Sequence, residues 1–239
     1  MSMSKWIGAS IGWAFLGPIG GILGLVLGSI FDPLSKKKSS SFQSKTKPGD
    51  FEISLLLLSA IVIKADGVKD KRELDYVRNH FIRMYGRARA NNAFKLFKKL
   101  NNLSKIPTRK VCLQIRSMMD HPSRLQLLHF LFGVAQADGI VLESEVMMIN
   151  KISTYLGINI SDFESIKAMF YKDIDSAYRV LEIRSTASDQ EIKNAYRKMA
   201  KKYHPDKVAH LGVEHQKGAE EKFKKVHQAY ILIKKRRGL

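Results

Sequence analysis

A chain of 239 residues has room for one large or two small domains, and its 45% hydrophobic content is ordinary for a folded protein, which excludes disorder throughout. The formal net charge of +19, from 41 Lys and Arg against 22 Asp and Glu, suits acidic partners: nucleic acid, anionic lipid or an acidic protein face. Cys112 stands alone, so no intramolecular disulfide and no cysteine-based zinc site can form, and the seven histidines make no HExxH or CxxC…HxxxH pattern.

From Trp6 to Phe31 the chain carries no charge. A helix over that stretch measures roughly 39 Å at 1.5 Å per residue, against about 30 Å of hydrocarbon, so it spans a bilayer with some tilt. Lys5 lies on one side; Lys36, Lys37 and Lys38 lie on the other, which places the C-terminal bulk in the cytoplasm. Gly20, Gly24 and Gly28 repeat every four residues, as do Gly8 and Gly12, and each set offers a face for a second copy of the helix. Two readings stand beside dimerisation: glycines that only reflect membrane composition, and a helical hairpin broken at Gly17-Pro18 that dips in without crossing. A Lys/Ser-rich linker follows over 35–50.

From Phe51 to Lys172 apolar residues recur at helical spacing, as in Leu74, Val77, Phe81 and Met84, or Leu125, Leu128, Leu131 and Phe132. There is no period-two alternation, and the breakers are sparse: Gly86, Pro107, Pro122, Gly133 and Gly157. The segment echoes itself. Lys64-Ala65-Asp66-Gly67 with Glu73 matches Gln136-Ala137-Asp138-Gly139 with Glu145, each after an apolar helix and before an amphipathic one. Two helical hairpins packed together are the architecture this predicts.

Two readings of the Asp-Gly pairs remain open. Gly ends a helix in the left-handed conformation, and nearby acids complement the next helix's N-terminal dipole. Alternatively Asp66, Glu73, Asp138 and Glu145 converge to hold a divalent cation through oxygen ligands. The segment 51–172 resembles the TerB-like domain, an all-helical module with paired Ala-Asp-Gly turns, and that resemblance implies the cation as a cofactor. Arg83, Arg87, Arg89, Lys95, Lys98 and Lys99 read as a solvated face of an amphipathic helix.

Three helices follow Asp175. The first is short, with Tyr178 and Leu181 inward. The second starts at Ser188, an N-cap with Glu191 three residues on, and buries Ile192, Ala195, Tyr196, Met199, Ala200 and Tyr203. Its other face carries Lys193, Arg197 and Lys201, with Lys198 and Lys202 beside them. Pro205 stops this helix near His204, because proline disfavours helix at the residue before it. The third helix has Ala219, Phe223, Val226, Tyr230 and Ile233 on one face. The pair packs as a hairpin with the first helix across it, and His204-Pro205-Asp206-Lys207 stand at its tip.

With Ala195-Tyr196-Arg197-Lys198 and Lys202-Tyr203 before the tripeptide and Gln228-Ala229-Tyr230 after it, residues 175–239 resemble the J domain. That resemblance implies a partner and a site: His204, Pro205, Asp206, Lys193, Tyr196, Arg197, Lys198, Lys201 and Lys202 bind a DnaK-type chaperone and stimulate its ATPase. Asp206 would pair with an arginine of the chaperone, and the basic residues would meet an acidic face. The whole is all-α: a transmembrane anchor over 1–34, a linker, a TerB-like bundle and a terminal J-domain hairpin. This layout resembles the DjlA-type co-chaperones of the bacterial inner membrane, whose anchor can dimerise, and no Gly/Phe-rich or cysteine-rich region follows the J domain. A stress or metal sensor with the J domain as its readout is the alternative. Base-reading motifs and an exposed aromatic platform are absent, so no specific nucleic acid is expected. Neither a phosphate loop nor a nucleophile–base pair suggests an enzyme.

Overall fold

The computed structural model describes residues 48–65, 67, 71–101, 106–139, 141–171 and 173–238. The expected anchor with its glycine faces, most of the linker, and Asp66 lie outside the described residues. Among the described residues every regular element is helical, and no helix is long and apolar enough to cross a membrane.

The middle of the chain folds as α1 (Pro48–Val62), α2 (Lys71–Asn101), α3 (Thr108–Met118), α4 (His121–Ala135), α5 (Glu143–Tyr155) and α6 (Ile160–Ala168). Two of these have no polar face. Every residue of α1 from Phe51 onward is buried, and so are Leu125, Leu127, Leu128, Leu131 and Phe132 of α4. A helix that is apolar all round must be covered all round, so α1 and α4 pack against each other at the centre. The buried Ser59 hydroxyl is satisfied locally, donating to the Leu55 carbonyl at 2.6 Å. Phe132 forms the deepest aromatic contact, stacked on Phe170 at 5.5 Å and tilted on Phe163 at 5.7 Å. Burial also pushes the Cys112 thiol up to about 12, which leaves it protonated and inert.

The internal echo is structural. Apolar α1 is followed by α2 and apolar α4 by α5, and the glycine between each pair, Gly67 or Gly139, has positive φ, at 79° and 98°. Four of the five expected breakers mark a kink or an end, whereas Gly133 lies inside α4, where its missing side chain makes room for Tyr76. Gly86 (φ 78°) kinks α2, Pro107 precedes α3, Pro122 sits in the first turn of α4, and Gly157 follows α5 with φ 67°. Asp120 caps α4 through the Ser123 N–H at 3.0 Å, and Asn159 caps α6 through the Asp162 N–H at 2.8 Å.

The C-terminal part folds as α7 (Ile174–Val180), α8 (Asp189–Lys202), a 3-10 segment (Pro205–Leu211) and α9 (Val213–Arg237), with α8 and α9 antiparallel and α7 lying on α9. Tyr178 and Leu181 point inward, as do Ile192, Ala195, Met199 and Tyr203. The Arg237 guanidinium closes the open end of the hairpin, donating to the Tyr178 hydroxyl at 3.0 Å and to the Ala187 carbonyl at 2.6 Å.

One expectation about α9 needs correcting. Its buried stripe runs through His215, Ala219, Lys222, Val226, Ala229 and Ile233, whereas Phe223 and Tyr230 are only half-buried. The reason is that α9 is covered on two sides, by α7 and α8 and by the central bundle. His215 packs edge-on against Phe51 at 4.5 Å and shares a 3.0 Å hydrogen bond with the Tyr85 hydroxyl. His210, in the 3-10 segment, sits 3.3 Å from the Ser123 hydroxyl and 3.5 Å from the Asp120 carboxylate.

Replacing Phe132 by Ala should cost about 3–5 kcal/mol, measured as a lowered denaturant midpoint, because it removes a fully buried ring. Burial of the His215 ring lowers its pKa from 6.5 to about 4. A depressed histidine contributes full stability above pH 6.5, and that contribution declines as pH falls towards 4. Between pH 7.5 and pH 5 the chain should therefore lose roughly 2 kcal/mol through this residue. The thermal midpoint of a His215→Gln variant should fall less steeply over the same interval.

Candidate functional site

The α8 helix is set by its ends. Ser188 accepts the Glu191 N–H at 3.3 Å, and the Glu191 carboxylate accepts the Ser188 N–H at 2.7 Å, a reciprocal cap. The Ser188 N–H and the Ser188 hydroxyl, which donates to the same carboxylate at 2.8 Å, hold the Glu191 carboxyl below its usual range. The apolar stripe then faces α9, and Lys193, Arg197 and Lys201 are displayed to solvent, with Lys198 also exposed. Tyr196 is half-buried. Its ring stacks on Tyr230 at 4.3 Å, with 15° between the planes, and its hydroxyl is 3.1 Å from His227 Nδ1. Its edge is available from the basic side while its face is packed.

At the far end, His204 is extended (φ −62°, ψ 135°), and Pro205 opens the 3-10 segment. The His204 Nδ1 accepts the Asp206 N–H at 3.3 Å and lies 3.4 Å from the Asp206 carboxylate. The His204 ring packs edge-on to Phe223 at 6.2 Å. The tripeptide is thus a small self-braced turn, propped from beneath by α9. The Asp206 side chain is 81% exposed, so its carboxylate is free to meet a cation from outside. A cleft of about 580 Å³ opens beside it, lined by Ala200, Lys201, His204, Asp206, Lys207 and Phe223.

The two remaining lysines are occupied. Glu182 sits just after α7 in the left-handed region (φ 57°), and its buried carboxylate meets Lys198 Nζ at 3.2 Å and also holds Lys202. Lys202 reaches Asp162 of the bundle as well, and Asp162 in turn contacts His121 at 2.7 Å. Burial works against ionisation of Asp162. Hydrogen bonds from His121 and Lys202 and the Lys202 charge outweigh it, and the carboxyl lies below its usual range. Sequence reasoning missed Glu182, Asp162 and Phe223 at this site. A lone acid after a short helix gives no local signal of the lysines it will meet.

Of the four candidate cation ligands, Asp66 lies outside the described residues. Glu73 and Glu145 are buried. Glu145 accepts the Leu142 N–H at 2.8 Å and so caps α5 from within, although Leu142 itself offers no capping oxygen. The Asp138 carbonyl accepts from Arg72 at 3.1 Å, and its carboxylate lies 3.8 Å from the same guanidinium. Among the described residues no group of three or more His, Cys, Asp or Glu is placed to hold a metal ion.

Comparison with known proteins gives three family matches in chain order. The co-chaperone DjlA transmembrane domain matches residues 1–42, the tellurite resistance protein TerB matches residues 52–168, and the DnaJ domain matches residues 176–237. Over 99% of its length the chain is 27% identical to a co-chaperone protein DjlA of Haemophilus influenzae and 26% identical to one of Coxiella burnetii, covering 98% of each. Over 56 residues, 23% of this chain, it is 54% identical to a chaperone protein DnaJ of Lactobacillus acidophilus, of which that match covers 13%. No solved structure matches.

Proposed function

Since the chain is DjlA-like, with a transmembrane domain, a TerB domain and a J domain in that order, we propose that it serves as a co-chaperone at a membrane. In this reading the J domain binds a DnaK-type chaperone and stimulates its ATPase. The observation that carries the reading is the exposed Asp206 carboxylate, held on a braced turn at the end of a basic helix.

The division of labour follows from exposure. Lys193, Arg197 and Lys201 form an open positive face, which speeds encounter with an acidic surface and orients it more than it adds affinity. Once the helix is seated, Asp206 reaches the partner's arginine. Such a charge pair fixes register at the point where the partner's state is sensed. His204 and Pro205 hold that carboxylate's position through the Nδ1 contact and the fixed proline φ. No chemistry is required of this chain. Stimulation needs only that the J domain bind the hydrolysis-competent state of the chaperone more tightly than the resting state. In this reading the anchor confines the activity to the membrane, and the lysines after it favour an orientation with the J domain in the cytoplasm beside the bilayer.

Single-turnover ATP hydrolysis by a DnaK-type chaperone tests the reading. Asp206→Asn should abolish stimulation and leave the thermal midpoint unchanged, since an exposed carboxylate contributes little packing; full stimulation by that variant would refute the site. Lys193→Ala with Arg197→Ala should slow association at low ionic strength, and the deficit should shrink as salt rises. Alkaline carbonate extraction should leave the full chain in the membrane pellet, and release into the soluble fraction would remove the anchor.

A further inference from the structure

The open part of the basic face is only part of it. Lys193, Arg197 and Lys201 look outward, but the edge running to the His204 turn is turned inward onto the TerB domain. There Lys202 is shared between Glu182 of its own domain and Asp162 of the neighbouring one. Between the domains lies a cleft of about 590 Å³, with His121 and Asn159 on one wall and Lys198, Lys201 and Lys207 on the other. An acidic surface laid along that edge of α8 meets the start of α6 and competes with Glu182 and Asp162 for Lys198 and Lys202.

The contact holding the domains together is close but imperfectly satisfied. Gly218 lets α9 approach α4 so nearly that a Cβ there would overlap the Gln126 amide. Lys222 is buried against the bundle with no carboxylate partner among the described residues, and the Tyr203 ring 5.7 Å away is the group that faces its ammonium. Burial lowers the Lys222 pKa to about 7. The Gln126 Oε1 is buried without a hydrogen bond. A desolvated ammonium and an unpaired amide oxygen both favour separation, because each regains water when the surfaces part. They sit in the same interface as the Tyr85–His215 hydrogen bond and the Asp162–Lys202 ion pair, which favour closure.

We propose that the TerB domain is an intramolecular clamp on the J domain: it competes with the acidic chaperone surface for the Lys202 edge of α8, and binding of the partner along that edge requires the domains to part. This rests on the chaperone reading above. The inhibition is partial in the closed state, because Lys193, Arg197 and Asp206 stay accessible for first encounter.

Two substitutions outside the chaperone-facing residues open the clamp by different means. Gly218→Leu drives a side chain into Gln126 while strengthening the helix that carries it. Asp162→Asn removes the charge that draws Lys202 across. The full chain in detergent micelles is mixed with an ATP-loaded DnaK-type chaperone by stopped flow, and folding of each variant is checked by circular dichroism. The expected result is association about threefold faster than wild type at low salt. Amides at the start of α4 and α6 should also exchange faster with deuterium. Acceleration by either folded variant supports the clamp. Association at or below the wild-type rate in every variant that folds overturns it. Asp206→Asn is run in parallel: if it fails to abolish stimulation, the chaperone reading is what has failed, whereas loss of stimulation with unchanged association rates in the clamp variants defeats the clamp alone.

Discussion

Two helices without a polar side set the terms for everything around them. With α1 and α4 buried on almost every side, the remaining elements must form a shell, and the J domain packs into part of it. Exposing any flank of α1 or α4 forfeits roughly 25 cal/mol for each Å² of apolar surface returned to water. That is why α2 bends at Gly86 to continue along the bundle. It is also why α9 buries His215 and Lys222, residues that a free-standing hairpin would leave in solvent. The fold is governed by coverage of that central pair, and the polar compromises at the domain boundary follow from it.

The basic face of α8 and the turn at its end are built on the opposite principle. Its effective groups are those that the packing leaves alone. Lys193 and Arg197 have no carboxylate within ion-pair distance among the described residues and Asp206 stands out into solvent, whereas Lys198 and Lys202 are drawn onto Glu182 and Asp162. Five cationic positions on one helix therefore divide into a field that acts at a distance and an edge that is locked at close range. The net positive charge of the chain does not predict that division. It depends on two carboxylates lying where the helix passes.

What the sequence made legible is what short-range physics decides. The Ser188–Glu191 reciprocal cap, the stop at His204 and the positive φ of Gly67 and Gly139 are each set within a few residues and are found as read, and the inward stripe of α8 is found at Ile192, Ala195, Met199 and Tyr203, with Tyr196 and Ala200 only half-buried. The J-domain resemblance rested on such local signals, as did the TerB-like echo. The stripe of α9 was read in part, because its second cover comes from residues more than a hundred positions earlier, such as Tyr85. Lys202 was legible as a cation but not as one already paired. Its partner Asp162 looks from sequence like an ordinary acid in the first turn of a helix, where the dipole alone accounts for it. Long-range pairing between single charged residues leaves no periodicity to detect.

Glu182 shows what such pairing asks of one position. Its backbone sits where glycine or asparagine is at ease and where a residue with a longer side chain pays about 1–2 kcal/mol. Its carboxylate, meanwhile, is what two lysines converge on. No single amino acid satisfies both demands. Drift towards glycine relaxes the chain but strips Lys198 of its carboxylate and leaves Lys202 to Asp162 alone, and drift towards aspartate keeps the charge but shortens the reach. Related chains are therefore expected to keep this strained acid, or to change it together with the lysines opposite.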